Sequence, residues 1–165
     1  MKKSGATVCI ILDNIRSSHN VGSIFRTADA LGLGTVGRIY IAGYTPAPTD
    51  KFGRANKEIS KVALGAEKTL DWEIAKSVST LIKKLRSEKY KIVAVEQSSS
   101  AKDYKKFKLA VGSQTAFIFG NEVSGISKKN LALCDEIIQI PMRGEKESLN
   151  VSVAFGIALA RILNL

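Results

Sequence analysis

The sequence predicts an α/β fold, a mostly parallel sheet with helices on both faces. Three observations lead there. Five short runs rich in Val, Ile and Phe are each bounded by turn residues. Segments with apolar residues at helical spacing lie between them, and two longer loops follow strand ends. Residues 7–12 (TVCIIL) read as the first strand, followed by a helix over 21–31 with Asn20 as its N-cap and Gly32 as its stop. Residues 37–42 (GRIYIA) form the next strand, and 43–56 a long loop. Ile74, Val78, Leu81, Ile82 and Leu85 then recur at helical spacing, with Lys76, Lys83, Lys84 and Arg86 between them. That pattern predicts an amphipathic helix with a basic outer side. Residues 91–96 (KIVAVE), 115–119 (TAFIF) and 136–140 (EIIQI) complete the strands, with a second loop over 97–106. The last helix, 150–163, is apolar almost all round and so should be buried on more than one side. The order is β-α-β-α-β-β-α-β-α, and loops at strand ends usually build the site in such sheets.

The 165 residues fit one domain, 1–165, with a normal apolar fraction of 45%. The longest apolar stretch, 149–163, is broken by Asn150, Ser152 and Arg161. It falls short of the roughly 20 residues a bilayer needs, so no membrane span is expected. Met1-Lys2-Lys3 is basic, but the apolar run that follows stops at Asp13, so no secretory leader is expected. Two distant cysteines, Cys9 and Cys134, make no disulfide framework, which points to a reduced, cytoplasmic protein.

The net charge of +10 is unevenly spread. Residues 76–108 carry net +7, residues 1–75 net +3, and residues 109–165 are neutral. A basic middle segment suits a polyanion, RNA or DNA before membrane; the alternative is a lysine-rich solvated face.

Several motifs fail on context. Residues 32–37 match G-x-G-x-x-G, but these glycines follow a helix and lead into a strand, the reverse of a dinucleotide fingerprint. The single histidine, His19, has no metal-ligating neighbours, so no metal is expected. Ser18, His19 and Asp13 lack a nucleophile elbow. Asn150-Val151-Ser152 fits a glycosylation acceptor that a cytoplasmic chain would never use.

Three polar clusters remain, each where a strand passes into a loop or helix. The first holds Arg16, Asn20 and Arg26; an arginine near a sheet end suits a phosphate. The second is Gly120-Asn121-Glu122, a strand ending in glycine before a carboxylate. The third is Ile140-Pro141-Met142 followed by Ser148-Leu149-Asn150, where Ser148 and Asn150 either cap the last helix or face a ligand.

Together these clusters resemble the signature motifs of the SpoU (TrmH-like) RNA 2′-O-methyltransferases of the SPOUT superfamily, in order and spacing, from about residue 7 to residue 160. The resemblance implies S-adenosylmethionine as methyl donor and an RNA ribose 2′-hydroxyl as acceptor, with tRNA favoured over rRNA. It implies a catalytic set of Asn20, Arg26, Glu122, Ser148 and Asn150, with Arg26 clamping phosphate and Asn20 orienting it. It also implies a donor site at Gly120, Ile140, Met142 and Leu149. Connection rules alone predict an unknotted sheet; the family implies a C-terminal trefoil knot and a homodimer. The length matches a bare catalytic domain with no appended RNA-binding domain. RNA would then be gripped by Arg16, Arg54, Lys57, Lys83, Lys84, Arg86, Lys105 and Lys106. Two rivals stand beside this reading, a catalytically inactive RNA-binding protein of the same fold and a nicotinamide enzyme using the glycine run.

Overall fold

The computed structural model describes residues 5–35 and 37–165. Met1-Lys2-Lys3 and Val36 of the glycine run lie outside the described residues. In chain order the elements are β1 (Thr7–Asp13), α1 (Ser18–Ala30), β2 (Ile39–Ala42), α2 (Lys57–Ala63), α3 (Ala66–Thr69), β3 (Trp72–Ala75) and α4 (Val78–Ser87). There follow β4 (Lys91–Val95), β5 (Lys102–Asp103), β6 (Gln114–Phe119), α5 (Lys128–Leu131), β7 (Glu136–Gln139) and α6 (Val151–Ile162).

The strands form one sheet in the order β3-β2-β1-β6-β4-β7-β5. Every strand pair is parallel. The alternation of side chains divides the core in two. Val8, Ile10 and Leu12 of β1 pack with Phe25 of α1, Ile59 of α2 and Phe155 of α6 on one face. Cys9 and Ile11 pack with Leu81, Ile82 and Leu85 of α4 on the other. Burial on both faces explains why these strands read as continuous apolar runs. Both cysteine thiols are free.

Three expectations need correction. Helix α4 starts at Val78, because Ser77 is extended (ψ 130) and its hydroxyl accepts the Thr80 N–H. Ile74 and Lys76 therefore precede the helix, and Ile74 lies in β3, 58% exposed. Helix α1 is capped by Ser17 and not by Asn20: the Ser17 hydroxyl accepts the Asn20 N–H at 3.2 Å. The loop expected at 97–106 contains β5, a two-residue polar strand without the apolar content that marks strands in sequence. The end of α1 is as expected, with Gly32 in the left-handed region (φ 71) just past Leu31.

Candidate functional site

The C-terminal ends of β1, β4, β6 and β7 all reach the same side of the sheet, since the strands are parallel. There β6 ends in a tight reversal that only glycine allows. A Cβ on Gly120 would lie 2.6 Å from the backbone nitrogen of Ile126. Asn121 then stitches the turn together. Its side-chain oxygen accepts the Val123 and Ser124 N–H groups at 2.8 Å, and its amide donates to the Asn14 carbonyl and the Tyr44 hydroxyl at 2.8 Å. Glu96, just past β4, secures the other side by accepting the Ile126 N–H at 2.9 Å.

This scaffold points Glu122 at the start of α1. Its carboxylate accepts the backbone N–H groups of Arg16 at 2.9 Å and Ser17 at 3.2 Å, and the Asn20 side-chain amide at 2.8 Å. Burial pushes the Glu122 carboxyl up, but these bonds, led by the Arg16 N–H and the Asn20 amide, outweigh it and the net direction is down. The side-chain oxygen of Asn20, itself buried, accepts the Asn150 amide at 3.1 Å. Asn150 in turn caps α6, accepting the Ser152 N–H at 2.9 Å. A single hydrogen-bonded chain, Glu122–Asn20–Asn150, thus joins β6, α1 and α6, three segments far apart in sequence. Because Ser17 does the capping of α1, both polar atoms of Asn20 are left for this chain.

Beside it lies a cleft over the ends of β4, β6 and β7. Its walls include the apolar Val95, Phe119, Val151 and Ala154, together with Gly120, Ile140 and Leu149. Glu96, Gln97, Gln139, Glu122 and Ser148 supply polar groups, and among the described residues no Lys or Arg lines it. A shallower depression formed by Arg16, Ser17, Asn20 and Glu122 adjoins it through Glu122.

The other expected residues are placed differently. Met142 is half-buried and does not line the cleft. Arg26 is exposed on α1, and its side chain makes no hydrogen bond or ion pair among the described residues. Asn20 makes no hydrogen bond to it, and its side chain bonds Glu122 and Asn150 instead. Arg54 and Lys57 follow β2, at the same end of the sheet as the cleft. Lys83, Lys84 and Arg86 lie towards the C-terminus of α4, at the opposite end. There Arg86 pairs with Asp135, the residue before β7. Lys106 is exposed in the short turn after β5, and Lys105 shares a depression with Arg161 and Asn164 at the C-terminal end of α6. The basic segment 76–108 is therefore split between sites and is not one patch beside the cleft.

Sequence reasoning missed Glu96, Gln97, Gln139 and the role of Asn121. Each stands at or just past the last apolar residue of a parallel strand, and that position was the available signal. Among the described residues no group of three or more His, Cys, Asp or Glu could hold a metal ion. No helix among the described residues is long and apolar enough to cross a membrane.

Comparison with known proteins agrees with this geometry. The chain is 32% identical over 151 residues to the 23S rRNA (guanosine-2′-O-)-methyltransferase RlmB of Neisseria meningitidis, covering 92% of this chain and 56% of that protein. The AdoMet-bound rRNA methyltransferase of Sinorhizobium meliloti superposes with a TM-score of 0.84 at 25% identity, over 96% of this chain and 56% of that one. A TrmH/SpoU tRNA modifying enzyme from A. aeolicus gives 0.78 at 26% identity, over 95% and 74%. The chain thus spans little more than half the length of the first of these relatives. Residues 7–160 match the sequence model of the SpoU rRNA Methylase family, and the chain belongs to that family.

Proposed function

We propose that the chain is an S-adenosylmethionine-dependent RNA ribose 2′-O-methyltransferase acting on ribosomal RNA. The observation that carries this reading is the Glu122–Asn20–Asn150 chain at the edge of a cleft free of cationic side chains. Carboxylates of Glu96 and Glu122 give that cleft a negative character, which favours a cationic sulfonium and opposes a pyrophosphate. The same argument disfavours a nicotinamide dinucleotide. Gly120 offers backbone approach, and Phe119, Ile140, Leu149 and Val151 offer apolar surface for an adenine.

The bound donor would supply an electrophilic methyl group, so the chemistry needs no metal. The protein's part is alignment and exclusion of water. Glu122 stays ionised, and its oxygens are already bonded to Arg16, Ser17 and Asn20. It therefore acts as a positioning residue that holds Asn20 and, through it, Asn150. Ser148, exposed at the cleft, would bond a ligand there, and the exposed Arg26 would contact a substrate phosphate.

The substrate preference drawn from sequence, tRNA, gives way here to ribosomal RNA, because the RlmB relative carries a 23S rRNA name. The trefoil knot, the homodimer, a single domain over 1–165 and a cytoplasmic location belong to the same proposal. Val153 (47% exposed) and Ile157 (39%), one turn apart on α6, support the dimer. One observation favours a second reading, RNA binding without catalysis: the Arg26 side chain makes no hydrogen bond to the polar cluster. Mapping 2′-O-methyl riboses in RNA from cells with and without the gene separates these. A ribosomal site that disappears supports the proposal, a lost tRNA site restores the tRNA preference, and no lost site favours the non-catalytic reading.

A further inference from the structure

The loop between β2 and α2 displays aromatic rings where burial would be expected. Phe52 is 70% exposed and Tyr44 62% exposed, both at the sheet end that carries the cleft. This is a built loop, not a slack one. The Asp50 carboxylate accepts the Phe52 N–H at 2.8 Å, the Arg54 N–H at 3.0 Å and the Arg54 Nε at 2.7 Å. Gly53 turns the chain in the left-handed region (φ 77), its N–H bonded to the Asp50 carbonyl at 3.0 Å. Below the turn, Thr49 and Ala55 form an antiparallel bridge. The Phe52 ring is thus held out on a rigid tip, with Lys51 Nζ 5.0 Å and Arg54 Cζ 5.2 Å from its centroid. Tyr44, at the other end of the loop, is tied to the site by its hydroxyl, which accepts the amide of Asn121, next to Glu122.

We propose that residues 43–56 form a base-stacking strip for unpaired RNA, with Tyr44 and Phe52 each carrying a nucleobase and Lys51 and Arg54 meeting the phosphates. Exposed aromatics interleaved with cations match single-stranded nucleic acid, whose bases offer flat faces and whose backbone offers negative charge. A duplex hides those faces. The inference rests on the RNA reading above and narrows the substrate to a loop or other unpaired segment.

The test uses the full chain and two probes: a short unstructured RNA containing the fluorescent base 2-aminopurine, and a blunt RNA duplex of equal length. Phe52 faces solvent, so Phe52→Ala should leave thermal melting unchanged. It should weaken binding of the unpaired RNA by about 5- to 100-fold, lower the quenching of the reporter base, and leave the slope of log K against log salt unaltered. Phe52→Trp should restore the affinity, and Lys51→Gln should flatten the salt slope by about 0.7 on the single-stranded probe. Unchanged affinity in Phe52→Ala, an equal loss on the duplex, or a change only in self-association would each overturn the proposal. Binding is read without any methyl donor. Failure to bind S-adenosylmethionine therefore counts against the methyltransferase reading alone, and unaltered stacking counts against this one alone.

Discussion

Glu122 is the residue on which the polar cluster turns, because one carboxylate answers three donors from the start of α1. Glu122→Gln keeps the shape but replaces one acceptor oxygen with a donor, which faces N–H groups. Single-turnover methyl transfer should fall about 100-fold through misplacement of Asn20, and S-adenosylmethionine affinity should weaken as well, because the cleft loses a carboxylate that favours the sulfonium. The acid limb follows from the lowered Glu122 carboxyl. A depressed folded-state pKa contributes stability above the ordinary carboxylate range, and this is lost as pH falls through the folded value. Urea unfolding of the parent should therefore weaken from about pH 5 downward by more than that of Glu122→Gln. Asn20 and Asn150 share one hydrogen bond at 3.1 Å, so their alanine variants should not add. A double-mutant cycle on stability should return a coupling on the order of 1 kcal/mol, whereas additivity would mean the contact does nothing.

At the scale of elements, the start of α1 shows both what sequence can reveal and what it hides. Asn20 and Ser17 are equally good caps by residue type, and only the tertiary partners of Asn20 decide between them. Ser17→Ala should cost about 1 kcal/mol in urea unfolding, as a lost N-cap does, whereas an unchanged midpoint would return the cap to another residue. The five apolar strands were legible because a parallel sheet covered on both faces leaves continuous Val/Ile/Phe runs. β3 and β5 were not. β3 is an edge strand whose Ile74 continues the helical spacing of α4 backwards, and β5 is Lys102–Asp103, with no apolar residue. The motif residues Gly120, Glu122, Asn20 and Asn150 were legible by type and order. Glu96 and Gln139 carry no local signature and become visible only when β4 and β7 lie side by side.

For the whole molecule, charge and chemistry part company along the strand axis. The cleft lies at the C-terminal ends of the strands and has no cationic lining. Lys84 and Arg86 sit at the other end, partnered by Glu73 at 4.0 Å and by Asp135. Exposed pairs of that kind contribute little to stability, so their charges remain able to exchange partners with a polyanion. Arg16 borders the cleft through the depression it shares with Glu122, and Arg54 and Lys57 stand at the same sheet end, a placement that charge sums over sequence segments do not reveal. The most direct measurement of what the molecule does is transfer of isotopically labelled methyl from S-adenosylmethionine to purified ribosomal RNA by this chain, with the labelled nucleoside identified after digestion. Label on a ribose 2′-oxygen, lost with Glu122→Gln, is the expected result. Label on a base, or no transfer to ribosomal RNA or tRNA by a chain that binds the donor, would contradict it.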